Sequence, residues 1–278
     1  MQWLSIVVDP AMPACENSIY PGQGQDATRG EEVMSETATH ESEAYIWRNA
    51  RVLMVEVPVA RETAAAWLPA PLEPAESPSA SIFIADYPET TVGLVYREAG
   101  ILLHARDGAG PARHCSWMVV DDDAALILGR EMLGYPKKMA EISLVESGSG
   151  VVGSVRRKGT EIMRIEASLG ERESEPGPFL GTRVVNAIGT PITGTKLLDL
   201  PPTAEAIHAS RRGEGKLTLT SSERDALGDL GVPPDCPVHY MTVSFAAATN
   251  RETFTGPDRL IGEVDAAWVT RMTALRQW

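Results

Sequence analysis

The sequence predicts an α+β protein: a single domain built on an antiparallel β-barrel-like sheet with a few helices. Two patterns carry this reading. Beyond Tyr45 the chain breaks into short apolar or alternating segments separated by turn residues, which read as strands. Helix signals are few, and the clearest set lies mid-chain, between a run of aspartates and a glycine. With 278 residues and 43% apolar content, there is enough apolar surface for a substantial core.

In chain order, Arg51 to Val57 reads as a strand, and Arg61 to Trp67 as a short helix stopped by Pro69 and Pro71. Four strands are expected next, at Ser79 to Ala85, Val92 to Tyr96, Ile101 to Ala105 and His114 to Val120. The main helix runs from about Ala124 to Leu133. Asp121, Asp122 and Asp123 supply its N-cap and first-turn acids, and Gly134 supplies the left-handed residue after its last turn. Ala140 to Glu146 and Val151 to Arg157 read as a hairpin, followed by strands at Glu161 to Leu169 and Val238 to Ala246. Glu263 to Gln277 closes the chain as an amphipathic helix with Ala266, Val269, Met272 and Leu275 on one stripe.

Residues 1–44 read differently. They hold eight acids against the single Arg29, which is −7 of the formal net charge of −13, in a stretch rich in Gly, Pro, Ser and Thr. A disordered acidic extension is expected there, with Met34 as an alternative translation start and residues 45–278 as the catalytic domain.

The negative charge argues against nucleic acid or an anionic membrane as partner and favours a small molecule. No apolar run approaches the roughly 20 residues that span a bilayer, and the N-terminus lacks a basic flank, so a cytoplasmic protein is expected. Cys15, Cys115 and Cys236 fit no disulfide or metal-ligand spacing, and the five histidines form no ligand cluster; no metal is expected. Gly148 to Gly153 fits a dinucleotide fingerprint but joins two β-rich segments, so a hairpin turn is expected. Gly189 to Lys196 resembles a phosphate loop with its last residues scrambled, and is expected to be loop.

Chemistry concentrates at Gly134-Tyr135-Pro136-Lys137-Lys138, which places two of only five lysines side by side in an arginine-rich chain. An amine can lose its proton and attack a carbonyl; a guanidinium in practice cannot. An unperturbed lysine, near pKa 10.4, is neutral in only about one molecule in 2500 at pH 7, so its ammonium must be disfavoured. A neighbouring ammonium about 6 Å away contributes roughly 2.8 kcal/mol at an effective dielectric near 20. Burial can supply as much, and it must dominate if Lys137 and Lys138 point to opposite faces of a strand.

The segment Gly129-Arg130-Glu131-Met132-Leu133-Gly134-Tyr135-Pro136-Lys137-Lys138 resembles the acetoacetate decarboxylase family around its Schiff-base lysine. Leu68 to Glu73, Tyr96-Arg97-Glu98 and Thr255 to Leu260 keep that family's order. The resemblance implies a cone-shaped β-barrel, a homo-oligomer, and no metal or organic cofactor. It also implies Lys137 as nucleophile, Lys138 as the adjacent lysine associated with its activation, Glu98 as the active-site glutamate, and a substrate-binding arginine nearest Arg51, with Arg48 as the alternative. Where the family's decarboxylases carry a second carboxylate this chain has Phe83, with Asp86 and Glu89 as substitutes. Ser221 to Cys236 belongs to a segment longer than its family counterpart, suited to capping the pocket or to an interface. Trp117 and Met118 read as core or pocket lining, and Tyr96 and Tyr135 as packing groups.

Three functions follow. The first is decarboxylation of a β-keto acid through an imine on Lys137. The second is a Schiff-base aldolase or dehydratase acting on pyruvate or a related keto acid. The third is a non-catalytic protein that keeps the pocket to bind a small ligand.

Overall fold

Strands dominate the computed structural model, which describes residues 45–174, 176–177, 179–190, 193–247 and 259–276. The expected acidic extension and residues 255–258 of the last family-like stretch lie outside these residues. The strands are β1 (Tyr45–Pro58), β2 (Glu73–Pro74), β3 (Ser79–Tyr87), β4 (Glu89–Thr90), β5 (Tyr96–Asp107), β6 (Gly110–Val120), β7 (Lys137–Met139) and β8 (Glu141–Ser147). They continue with β9 (Gly150–Arg157), β10 (Thr160–Arg172), β11 (Val184–Thr190), β12 (Gly194–Leu200), β13 (Ala204–Leu219), β14 (Asp235–Ala247) and β15 (Leu260–Glu263). The helices are α1 (Arg61–Trp67), α2 (Asp123–Leu133) and α3 (Ala266–Arg276), with a 3-10 turn at Leu227–Leu230.

All strands join one sheet. Its main path runs β15-β12-β11-β6-β5-β3-β1-β14-β13-β10-β9-β8, with β2, β4 and β7 attached at its sides. Pairing is antiparallel except where β6 meets β11 and β7. The sheet coils on itself: β9 crosses β1 and β3 so closely that a Cβ on Gly153 would lie 2.7 Å from Ile84 Cδ1. The fold is thus barrel-like, although the outermost strands, β15 and β8, are not hydrogen-bonded to each other.

Strand alternation sorts the sheet's apolar side chains into two clusters. Leu53, Val55, Ile82, Ile84, Ile101 and Trp117 face the main core. Ala50, Val52, Met54, Phe83, Tyr96 and Met118 face the second cluster, beside which a cavity opens.

Several expectations need correction. Val92 to Tyr96 is no strand, because Gly93 takes a left-handed turn (φ 76°) and β5 begins only at Tyr96. Gly189 and Thr190 end β11 and Gly194 to Lys196 open β12, so these residues are strand rather than loop; their close approach requires glycine, since a Cβ on Gly189 would collide with the Gly194 carbonyl. β13 was missed because its alternation is written in small and charged residues. In α3 the buried side chains include Trp268 and Met272, whereas Ala266 is exposed. Among the described residues no helix is long and apolar enough to cross a membrane.

Candidate active site

The lysine pair is delivered by a helix with defined ends. Asp122 caps α2 by accepting from the Ala125 amide at 2.8 Å. Gly134, at φ 65°, ends the helix in the left-handed region, and a side chain there would also press on the Ala187 carbonyl, 2.9 Å from its Cβ. Buried Asn186 fixes this end further, donating to the Leu133 carbonyl at 2.9 Å while its Oδ1 accepts from the Cys115 amide. The chain then enters β7, which pairs parallel to β6 with Lys137 beside Met118 and Lys138 beside Val119.

That register decides where the amines go. Neighbours on a strand point to opposite faces. Lys137 shares the cavity face with Met118, and its Nζ lies 2.7 Å from Glu98 Oε2, both side chains being 8% exposed. Gly129 gives it passage, since a Cβ there would sit 2.6 Å from Lys137 Cδ and 2.9 Å from Nζ. Lys138 points into the opposite face, where its Nζ lies 2.8 Å from Asp225 Oδ1. Arg157 Nε and Trp117 Nε1 donate to the same carboxylate at 2.8 and 2.9 Å. Burial pushes the Asp225 carboxyl up, but the hydrogen bonds from Lys138 and Trp117 and the charges of Lys138 and Arg157 outweigh it, leaving it below its ordinary value.

Around Lys137 lies a cavity of about 110 Å³, far more than the roughly 10–15 Å³ a single water needs, walled mainly by apolar and aromatic side chains. Tyr96 and Tyr135 place their ring centres 5.4 and 6.0 Å from Nζ. Tyr87 donates weakly to Glu98 Oε1 at 3.4 Å, and Trp47 Nε1 donates to the Tyr96 hydroxyl at 2.9 Å. Burial, reinforced by the Glu98 charge, pushes the Tyr87 and Tyr96 hydroxyls well above their ordinary values, so both stay protonated. Phe83 packs edge-on against Phe179 at 5.6 Å, over Gly100. Arg113 lines the same cavity, donating from Nη1 to the Phe179 carbonyl. Among the described residues, no group of three or more His, Cys, Asp and Glu side chains is placed to hold a metal ion.

The structure therefore brings Lys137 and Glu98 together and leaves two named residues outside the cavity. Lys138 belongs to the Asp225 cluster. Arg51 is 41% exposed and pairs with Asp86 and Glu146, the Asp86 bond holding its pKa up. The residue expected to bind substrate thus lies away from the cavity lining; Arg48, the alternative, pairs with Glu89. Asp86 and Glu89 are thus committed to these arginines and do not replace the missing second carboxylate, and Phe83 stands as an aromatic wall.

Of the residues missed as site members, Tyr96 had a readable signal, because it lies two positions from Glu98 and must share its face. Trp117 is core and Met118 lines the cavity. Asp225 and Arg113 carried no local signal.

The profile of the family described as acetoacetate decarboxylase matches residues 33–249. Acetoacetate decarboxylase 3 of Mesorhizobium japonicum is 33% identical over 95 residues, 34% of this chain and 37% of that protein, so the match spans well under half of the relative's length. A structure described as acetoacetate decarboxylase superposes with a TM-score of 0.69 at 17% identity, covering 84% of this chain and 96% of that one. The acetoacetate decarboxylase of Legionella pneumophila gives 0.67 at 17% identity over 81% and 88%. The enduracididine biosynthesis enzyme MppR, complexed with pyruvate, gives 0.63 at 18% over 76% and 91%. At these identities the structural matches establish the fold, and the profile match over most of the sequence establishes the lineage. The chain belongs to the acetoacetate decarboxylase family.

Proposed function

We propose that this protein is a Schiff-base-forming lyase that decarboxylates a small β-keto acid through an imine on Lys137. The observation carrying this reading is the Lys137 amine held 2.7 Å from the Glu98 carboxylate in a largely apolar, aromatic cavity. Glu98 accepts the proton of the ammonium along this contact, and the freed amine adds to the ketone carbon. Loss of water gives a protonated imine. The bond to the carboxylate carbon then breaks, carbon dioxide leaves, and the bonding pair moves into the imine to form an enamine. The proton Glu98 took from the ammonium leaves with the water lost in forming the imine, so Glu98 takes up another from solvent and delivers it to the enamine carbon, and water hydrolyses the resulting imine to the ketone and free Lys137. No step calls for a metal or an organic cofactor. The apolar walls suit the loss of a poorly solvated carboxylate as neutral carbon dioxide. A keto acid substrate and a homo-oligomeric assembly are part of the same proposal.

A second reading is favoured by Phe83, the aromatic side chain at the position where the family resemblance places another carboxylate. In that reading Lys137 forms an imine with pyruvate or a related keto acid, and the enamine formed by proton loss attacks an aldehyde or eliminates water. The test is incubation with acetoacetate and with pyruvate separately, borohydride reduction, and peptide mass spectrometry. A reduced adduct on Lys137 whose mass shows loss of carbon dioxide from acetoacetate supports decarboxylation. A pyruvate adduct retaining its carboxylate supports the second reading, and no adduct from either compound would overturn both.

A further inference from the structure

Arg113 is the cavity's least explained charge. It is 8% exposed, and among the described residues its guanidinium donates to the Phe179 carbonyl but makes no ion pair. The other buried arginine, Arg157, is tied directly to Asp225. Glu56 and Glu205 act on Arg113 only at longer range; Glu56 lies 3.7 Å from His104, and Glu205 accepts from the Leu180 amide. A buried charge without a carboxylate is costly, and desolvation accordingly depresses the Arg113 pKa. Such a group in a cavity wall is a ready receptor for an anion.

Its position sets what that anion belongs to. Lys137 is beside Met118, which pairs with Gly100 on β5, whereas Arg113 pairs with His104. Four residues of β5 separate the two levels, about 13 Å at roughly 3.3 Å per residue. Between them the wall is apolar, with Phe83, Leu102 and Met118. Both ends carry long side chains that shorten this gap.

We propose that Arg113 is an anion subsite at the end of the cavity away from Lys137, and that the substrate carries a carboxylate there, separated from its ketone by a short apolar spacer. The ketone half of this inference rests on the imine reading of Lys137. Under decarboxylation, this carboxylate is additional to the one that leaves.

The probes are 5-oxohexanoate, its methyl ester, and hexanoate, which has the carboxylate but no ketone. Borohydride trapping should label Lys137 at least tenfold more efficiently with 5-oxohexanoate than with the ester. Arg113→Gln should bring that ratio close to one, and Arg113→Lys should restore part of it. Calorimetry should show hexanoate binding the wild-type protein at least tenfold more tightly than Arg113→Gln. Equal acid and ester labelling in the wild type, or a ratio and hexanoate affinity untouched by Arg113→Gln, would overturn the subsite and leave Arg113 as a structural tie to Phe179. Hexanoate binding that depends on Arg113, with no trapping of any ketone, would uphold the subsite and sink the imine reading instead.

Discussion

Lys138 directs its ammonium to Asp225, 2.8 Å away on the core side of β7, while Lys137 reaches into the cavity on the other side. Adjacent in sequence, the two lysines therefore sit in separate electrostatic environments. The charge of Lys138 is answered by a carboxylate that is 1% exposed and also holds Arg157 and Trp117. Asp225 comes from the excursion between β13 and β14, so a distant segment of the chain anchors the strand that carries Lys137.

Removing Asp225 takes from two buried cations, Lys138 and Arg157, the carboxylate they share. Asp225→Ala is expected to destabilise the fold by about 3–5 kcal/mol, read from the midpoint of denaturant unfolding. Lys138→Met should cost less, because Asp225 keeps Arg157 and Trp117. It should also leave borohydride labelling of Lys137 within severalfold of wild type. A Lys138→Met protein that folds normally but loses labelling a hundredfold would show that the second lysine acts on the first despite facing away.

The same cluster sets a pH dependence. The folded Asp225 carboxyl holds its proton more weakly than an unfolded aspartate, so protonation favours the unfolded chain. Its contribution is fully present above the ordinary aspartate range near 3.9 and is lost as pH falls below that range, through the depressed folded value. Unfolding free energy measured between pH 6 and 3 should fall less steeply in Asp225→Ala than in wild type. Parallel acid limbs would remove this carboxyl from the account.

Under the proposed imine chemistry, Glu98 faces a different demand, since it exchanges a proton with the amine and its adducts. Glu98→Gln keeps the shape and a hydrogen-bonding oxygen but cannot take that proton. Turnover of the keto acid should drop by about 10²–10⁴-fold, the usual range for loss of a general acid-base group. Thermal unfolding should move little. Single-turnover kinetics would separate slow imine formation from slow protonation of the enamine, and an unchanged rate in both would exclude Glu98 from the chemistry.

The limits of reading this chain from its sequence are visible at Arg51 and Asp225. α2 was legible residue by residue because a capping aspartate and a terminal glycine act locally, and these ends fix where Lys137 begins its strand. Arg51 lies in a strand, where displacement by one residue moves a side chain to the opposite face. Ala50 and Val52 belong to the cavity-side cluster, whereas Arg51 between them turns to Asp86. Asp225 meets Lys138 across 87 positions, and Arg113 faces the cavity beyond a bulge in β6; neither leaves a periodic trace. The charge partners of a site are set by long-range register, which no short window of sequence contains.

Gly129 tests whether positioning, rather than mere presence, of the Lys137 amine matters to the proposed chemistry. It is a buried residue of α2, and the Lys137 side chain runs across it so closely that an added Cβ would lie 2.6 Å from Cδ, closer still to Cε, and 2.9 Å from Nζ. The obstructed atoms belong to the far end of a flexible side chain, so Lys137 can swing aside at little cost to the fold. Alanine is also the better helix former, by about 1 kcal/mol. Gly129→Ala should therefore keep or slightly raise the melting temperature while displacing the amine from Glu98. Displacement by about 1 Å costs on the order of a hundredfold in a positioned reaction, so labelling of Lys137 by a keto acid and borohydride should fall at least tenfold. Labelling at the wild-type rate in a normally folded Gly129→Ala protein would mean that the 2.7 Å contact with Glu98 is not required for imine formation.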